Sequence, residues 1–561
     1  MGFVAALVVG AVLLVGWPAA AKDFTIRGRD FNLSLTDSFL YTYHADNGDD
    51  APDDDRYHHV VNILDVALSH GDFRLGGRFD LHLFADTPEK RLCPAAAHPS
   101  WCGQRYRDSF AAERVFLVWA RDEFDSTLGD FYASFGKGIV LNVVKIDQLG
   151  QDTTLRGGKF HFHARDLEVI FVGGQFNPLD TDEATGYHAP WKLEPLLGGR
   201  AEYRFQDTVI VGTHAVYVVS NDPNISASSR STTDYQLLWG AGFEVPRLWQ
   251  DRLTFSAEID WQRTISSGKV VRGPGSESSP GLAVYASASL HQGAFTLLAE
   301  YKHYDEFRLA APTPVNAPYT LLYSQPPTLE RIDAEVYDNV GVSGGRLRLD
   351  WNVGEHRGLD LLAFVNFGYF QNWSLKEDRV FDPYAGVELR WQEEQGHLNL
   401  SGGLRLEQER AGGATYRQDA HLELDVEQPL RKRHSLKLSA VYLRRQAQGL
   451  SSPREWNETD VTLGWRWSPR LSLSASYERQ DDPSIVGGRE GNTDPSRGPL
   501  RDAPLLGAAN YLSGTVQYFF TPSTFVSLRA GQSRPGIKCL NGACRSWPGF
   551  AGVQLSAVGR F

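Results

Sequence analysis

Apolar and polar residues alternate with a period of two from about residue 32 to the end of the chain. Segment 397–407 is the clearest case, where Leu398, Leu400, Leu404 and Leu406 interleave with Asn399, Ser401, Arg405 and Glu407. In 420–427, Ala420, Leu422, Leu424 and Val426 alternate with His421, Glu423, Asp425 and Glu427, and 460–467 and 471–478 repeat the pattern. Successive side chains of an extended chain point to opposite faces, so this spacing makes strands with one apolar and one polar face and cannot make a helical stripe.

Such strands must hide the apolar face against a second sheet or against lipid, and two features select lipid. Trp261, Trp351, Trp391, Trp467 and Tyr477 stand toward the ends of apolar faces, as in the aromatic girdles of a membrane barrel. Connections also alternate between short and long. Short ones fall near 70–72, 165–166, 206–207, 291–293 and 395–396, and between them lie long polar segments such as 87–109, 177–197, 310–336 and 481–509. Proline keeps to the connections, because inside a strand it removes a ladder hydrogen bond. The expected fold is all-β: a transmembrane antiparallel up-and-down barrel of about 24 strands, with 22 to 26 acceptable and an even number required for closure. Long loops are expected outside the cell and short turns in the periplasm. The chain ends on an alternating strand at Phe561, which suits recognition by a barrel-assembly machinery.

Residues 3–17 form an apolar run followed by Pro18 and three alanines, the pattern of an export signal, although no Lys or Arg precedes it. A signal peptide over 1–21 and a single barrel domain over 22–561 follow, with both termini periplasmic in a Gram-negative outer membrane. The net charge of −12 includes no basic block, so nucleic acid is not an expected partner. Lipids and lipopolysaccharide of the outer membrane are, and a periplasmic export partner remains open. The four cysteines form two close pairs, Cys93 with Cys102 and Cys539 with Cys544, each in a segment rich in turn-forming residues. Local disulfides in an oxidising compartment are expected.

With the apolar faces on lipid, the other faces line the interior. Arg200, Arg204, Glu258, Asp260, Glu300, Lys302, Arg346, Arg348, Asp350, Arg405, Glu423 and Asp425 are the expected lumen residues. Both signs are mixed, which describes a polar wall without a single-sign selectivity field. A barrel of this size left open would leak, and so few residues precede the first strand that a plug is expected from inward loops, chiefly 137–154, 177–197, 310–336 and 481–509.

Segment 129–176 has the most distinctive wording: Gly129-Asp130-Phe131-Tyr132, then Phe135-Gly136-Lys137-Gly138-Ile139, then Leu155-Arg156-Gly157-Gly158. With the Cys539–Cys544 loop running into Arg545 and Pro548, it resembles an uncharacterised family of large outer-membrane barrels, which implies a fold and no activity. The barrel plan is more loosely similar to alginate-export-type porins, a likeness of fold alone.

The acidic loop 46–55 offers Asp49, Asp50, Asp53 and Asp55 as weak candidates for a hard cation, but the spacing lacks a closing bidentate Glu, so a solvated loop is expected. His161 and His163 share a strand face, where water or carboxylate partners are the commoner fate. No catalytic set or cofactor motif is found and no enzyme is expected. The function expected is a porin-like or export channel for hydrophilic solutes or polysaccharide. The alternative is a structural or adhesive barrel that displays stapled loops or anchors a partner.

Overall fold

The structure, a computed structural model, describes residues 22–47, 54–88, 105–188, 194–206, 208–221, 233–266, 280–307, 309, 323–331, 341–356, 358–372, 378–392, 395–409, 413, 415–431, 433–448, 453–481, 510–540 and 543–560. The export signal over 1–21 lies outside them.

Twenty-four strands follow one another around a closed antiparallel sheet. The first half comprises β1 (Arg29–His44), β2 (Tyr57–His70), β3 (Phe73–Ala85), β4 (Ser109–Arg121), β5 (Phe124–Phe131), β6 (Gln151–Ala164), β7 (Leu167–Pro178), β8 (Pro195–Phe205), β9 (Val209–Asn221), β10 (Thr233–Leu248), β11 (Leu253–Ser266) and β12 (Gly281–Gln292). The second half comprises β13 (Phe295–Asp305), β14 (Gly341–His356), β15 (Leu359–Asn372), β16 (Asp378–Trp391), β17 (Gly396–Glu409), β18 (Thr415–Arg431), β19 (His434–Gln448), β20 (Pro453–Trp467), β21 (Leu471–Gln480), β22 (Asn510–Thr521), β23 (Thr524–Ser533) and β24 (Phe550–Arg560). The sheet closes where β24 pairs with β1, from His44 against Gly552 to Thr36 against Arg560. Below that seam the chain folds back at Arg27-Gly28, and Lys22–Ile26 pairs with Arg29–Leu33, extending the closing edge.

The expected count and the alternation of connections are both met. One rim carries tight turns, as at Gly71-Asp72 and Gly293-Ala294, where Gly71 and Gly293 adopt left-handed backbone at φ 51° and 59°. The other rim carries every long loop. A membrane-crossing strand needs about 9–11 residues. Many strands are longer, up to 17 in β18, and so extend beyond the apolar band.

The outward face is apolar, with Leu128, Phe171, Leu197, Val211, Leu347, Val365, Leu422 and Leu463 exposed on it. Aromatics collect at both edges of the band. Phe73 stacks on Trp119 and Phe295 on Trp351 toward the tight-turn rim, while Tyr217 stacks on Tyr235 toward the long-loop rim.

Proline enters strands near their tight-turn ends at Pro246 in β10 and Pro429 in β18, beside register shifts, and departs furthest from expectation at Pro383. Pro383 sits inside β16, paired with Phe367 on one side, and the ladder to β17 skips Asp382 and Pro383 on the other. The strand tolerates it by giving up two pairs.

The wall is thinnest over β5–β8. Gly129 faces Gly157, Gly157 faces Gly174, and Gly158 faces Gly173, with Gly198 and Gly199 on the next strand. At Gly157 an added Cβ would lie 2.0 Å from the Gly173 carbonyl oxygen, so no side chain fits there. Phe131 ends β5 after only eight residues, and the chain leaves the wall at this point.

Candidate functional site: a lumen crossed by its own loops

After β5 the chain turns inward. Ala133–Phe135 and Leu141–Val143 pair as a small hairpin, and Phe135, Ile139, Val140 and Leu141 are fully buried. Phe135 lies against the bare backbone of Gly198, where a Cβ would come within 3.0 Å of its ring. The Lys137 backbone N–H donates to Glu258 Oε2 at 2.8 Å, and Lys137 Nζ donates to Glu244 Oε2 at 3.3 Å. Because β10 and β11 are several strands away around the sheet, these bonds cross the lumen. They also fix the face of β11 that carries Glu258 as the inner one.

A second insertion, 323–331, enters after β13 and lies on the first. Asn142 N–H donates to the Tyr323 carbonyl at 2.8 Å, Gln325 N–H donates to the Gly138 carbonyl at 2.9 Å, and the Asn142 side chain donates to Gln325 Oε1 at 2.8 Å. It is fastened on three sides. Tyr323 Oη donates to Glu194 at 2.6 Å, Lys302 donates both 2.7 and 2.9 Å hydrogen bonds to Glu330, and Arg331 pairs with Glu423 on β18. Burial pushes the Glu330 carboxyl up, but the adjacent Lys302 ammonium more than offsets this and holds it below the usual carboxylate range.

The inner wall beneath these insertions is apolar. Val172, Leu196, Val216, Val218, Leu238, Ala283, Tyr304, Val342 and Phe370 form one buried cluster with Phe135, Ile139, Leu141, Phe307, Leu309 and Leu329. Apart from β11, whose inner face carries Glu258, Asp260 and Gln262, strands β7–β15 each place apolar residues on the inner face near the long-loop rim, where polar residues are expected from the alternation. The inserted segments supply the second layer that an apolar inner face requires.

The sequence-derived lumen residues are drawn into pairs. Arg200 donates to Glu202 at 2.8 Å, Glu300 accepts from Arg346 and from Tyr285 Oη, both at 2.7 Å, and Arg348 donates to Asp350 at 2.9 Å. Arg405 donates to Glu407 at 2.8 Å, while Asp425 holds His397 at 2.8 Å and Lys437 at 3.2 Å. Arg204 is exposed near the tight-turn rim. Glu258 and Asp260 are buried beside His214, whose Nε2 lies 2.7 Å from Asp260 Oδ1.

Several members of this site escaped sequence reasoning. His214 is a lone imidazole that shares its strand face with Ile210, Gly212, Val216 and Val218, so the alternation offered no signal for it. Glu330 and Arg331 follow Pro326-Pro327 in a segment without periodicity, which offers none. Arg78, which the alternation places on the inner face, and Arg114, which it did not single out, converge on Asp152 at the base of the first insertion, where Tyr132 Oη also donates to Asp152 at 2.8 Å. Arg545, from the loop before β24, is buried and donates to the Leu149 carbonyl at 2.7 Å and pairs with Asp182, which joins three loops at the mouth.

Of the expected plug segments, parts of 137–154, 177–197 and 310–336 are thus engaged inside or at the mouth, and 481–509 lies outside the described residues. Cys539 and Cys544 face each other in the register of the hairpin Gly536–Leu540 and Ala543–Trp547, though the description does not extend to their sulfurs. Cys93, Cys102, Asp49, Asp50, Asp53 and Phe561 lie outside the described residues. Asp55 is buried and accepts the Asn47 N–H at 3.1 Å, a loop-internal role. His161 is held between Asp125 at 2.8 Å and Glu168 at 3.2 Å, the carboxylate partnership expected of it.

The profile of a family of unknown function, DUF6029, matches residues 3–311, just over half of the chain. No curated protein matches the sequence. Among solved structures, the siderophore receptor PirA from Pseudomonas aeruginosa is 9% identical, with 94% of this chain and 80% of that one covered at a TM-score of 0.45. A mutant of the ferric enterobactin receptor PfeA from the same organism is 10% identical, with 94% and 80% covered and a TM-score of 0.47. A BenF-like porin from Pseudomonas fluorescens Pf-5 is 14% identical, with 73% and 98% covered and a TM-score of 0.35.

Proposed function

The chain belongs to the family of unknown function DUF6029, and we propose that it is a bacterial outer-membrane channel for hydrophilic solutes or polysaccharide, narrowed by its own inserted loops. The observation that carries this reading is the asymmetry of the lumen. Near the long-loop rim, most strands of one sector, β7–β15, pack apolar inner residues against the two insertions. The sector from β16 to β20 keeps a charged inner face of both signs, with Arg390 beside Glu388 at 3.6 Å, His397 and Lys437 on Asp425, and Arg445 on Glu458 at 3.2 Å. The pairs around Glu388 and Asp425 are partly exposed, while Glu458 and the Arg405–Glu407 pair are buried, and a mixed, partly wet wall of this kind suits a passage for polar cargo without strong charge selection.

In this reading the tight turns and both termini face the periplasm, and the 323–331 insertion is the constriction, latched by Lys302–Glu330 on one wall and Arg331–Glu423 on the other. Purified protein in a planar lipid bilayer is expected to conduct in small steps, and Arg331→Ala to enlarge them by freeing one end of the latch. Absence of conductance in both proteins would overturn the reading. It would favour instead a sealed barrel that anchors a partner through its long loops, a reading supported by the three-way junction of Arg545, Asp182 and Leu149 at the mouth.

A further inference from the structure

His214, Glu258 and Asp260 project from the inner face of β9 and β11 into one buried pocket, with exposures of 5%, 4% and 0%. The pocket exists because the strand between them carries glycine. Gly240 on β10 stands in register with both His214 and Asp260, and a Cβ there would lie 1.7 Å from Asp260 Oδ1. Removing that side chain lets groups two strands apart meet over bare backbone. Gly136 of the first insertion roofs the pocket in left-handed backbone, at φ 58°, where a Cβ would come within 2.3 Å of Glu258 Oε1.

The donors are incompletely satisfied. Glu258 Oε2 accepts the Lys137 N–H, and Asp260 Oδ1 meets His214 Nε2, but Glu258 Oε1 and Asp260 Oδ2 have no hydrogen-bond partner. Among the described residues no Lys or Arg pairs with either carboxylate. Lys137 reaches Glu244 and Arg200 reaches Glu202. Two carboxylates buried side by side without a cation are expensive unless something positive sits between them.

We propose that this pocket binds one divalent transition-metal ion through His214, Glu258 and Asp260. His214 Nε2 lies 2.7 Å from Asp260 Oδ1 and 4.0 Å from Glu258 Oε1. These separations bracket the ~3.0–3.4 Å expected between two ligands that each stand about 2.1 Å from a metal in octahedral or tetrahedral geometry. One imidazole and two carboxylates suit zinc or manganese better than the all-oxygen shell of calcium. The ion neutralises the carboxylate pair, and because Glu258 also holds the Lys137 backbone, it ties the first insertion to the wall.

The test uses the full-length barrel, purified in detergent and stripped with a chelator, then dialysed against Zn²⁺ or Mn²⁺ with bound metal counted by mass spectrometry. One ion per chain is expected. His214→Ala and Asp260→Asn should each weaken binding at least tenfold while the barrel keeps its heat-modifiable gel mobility. His161→Ala, in the more open Asp125–His161–His163 group at the tight-turn rim, should leave that ion in place. Co²⁺ loaded in place of Zn²⁺ should give visible absorption bands that change in folded His214→Ala. The proposal fails if wild type binds no more metal than the folded His214→Ala and Asp260→Asn proteins, as it would if the carboxylates share a proton. It fails equally if His161→Ala abolishes binding.

Discussion

At the scale of single residues, the interior depends on a few buried charged pairs. Lys302 is fully buried and Glu330 is nearly so, and a buried ion pair broken on one side typically costs about 3–5 kcal/mol because the remaining charge is stranded. Lys302→Met should therefore destabilise the barrel by that order, and Lys302→Met with Glu330→Leu should recover most of the loss, measured by urea unfolding in detergent. The pH dependence has a definite sign. The Glu330 carboxyl is depressed in the folded protein, so its contribution is fully present above the ordinary carboxylate pKa of about 4.3 and is lost as pH falls through the lowered folded value. The stability difference between wild type and the double variant, read by urea unfolding, should therefore stay constant from neutral pH to about pH 5 and shift against wild type only in stronger acid. Gly240→Ala drives a methyl group into Asp260 and toward the Ile259 carbonyl, 2.7 Å away, and should cost about 1–3 kcal/mol of stability. It should also abolish metal binding.

At the scale of elements, the first insertion is held by apolar packing more than by its polar bonds, since Phe135, Ile139, Val140 and Leu141 are all fully buried. Ile139→Asp places a charge within the buried apolar cluster, so the segment should leave the lumen while the 24-strand wall persists. The expected result is a larger conductance step and new protease cleavage within 132–150, with unchanged β-sheet circular dichroism. Cleavage at the wild-type rate would count against the packing account. The insertion was only partly legible beforehand. The glycines and aromatics of 129–176 marked the segment as unusual, and a wide barrel called for a plug. The partner segment 323–331 was marked only by the length of loop 310–336, because its contacts with Asn142 and Gly138 join loops nearly two hundred residues apart.

At the scale of the whole molecule, the outer apolar face and the tight-turn rim obey simple rules. Leu347, half exposed in the outward row of β14, faces lipid, and Leu347→Arg should destabilise the folded barrel by about 2–4 kcal/mol if it lies near the bilayer midplane. Refolding into vesicles would measure this. The alternation in 397–407 and 420–427 determined, without further information, that these segments are strands and which side chains share a face, because strand geometry is local. The short and long connections likewise determined an even, closed count, since antiparallel neighbours need only a turn. Tertiary structure alone decided what those faces meet. Val216, Val218 and Leu238 read as lumen positions by parity, yet they are buried under Phe135 and its neighbours rather than wet. His214 reads as an isolated histidine until Gly240, on the strand between them, opens the gap in which it reaches Asp260. Parity is fixed within a strand, but the partners of an inner face are set by chain that returns from elsewhere, and no period in the sequence encodes that return.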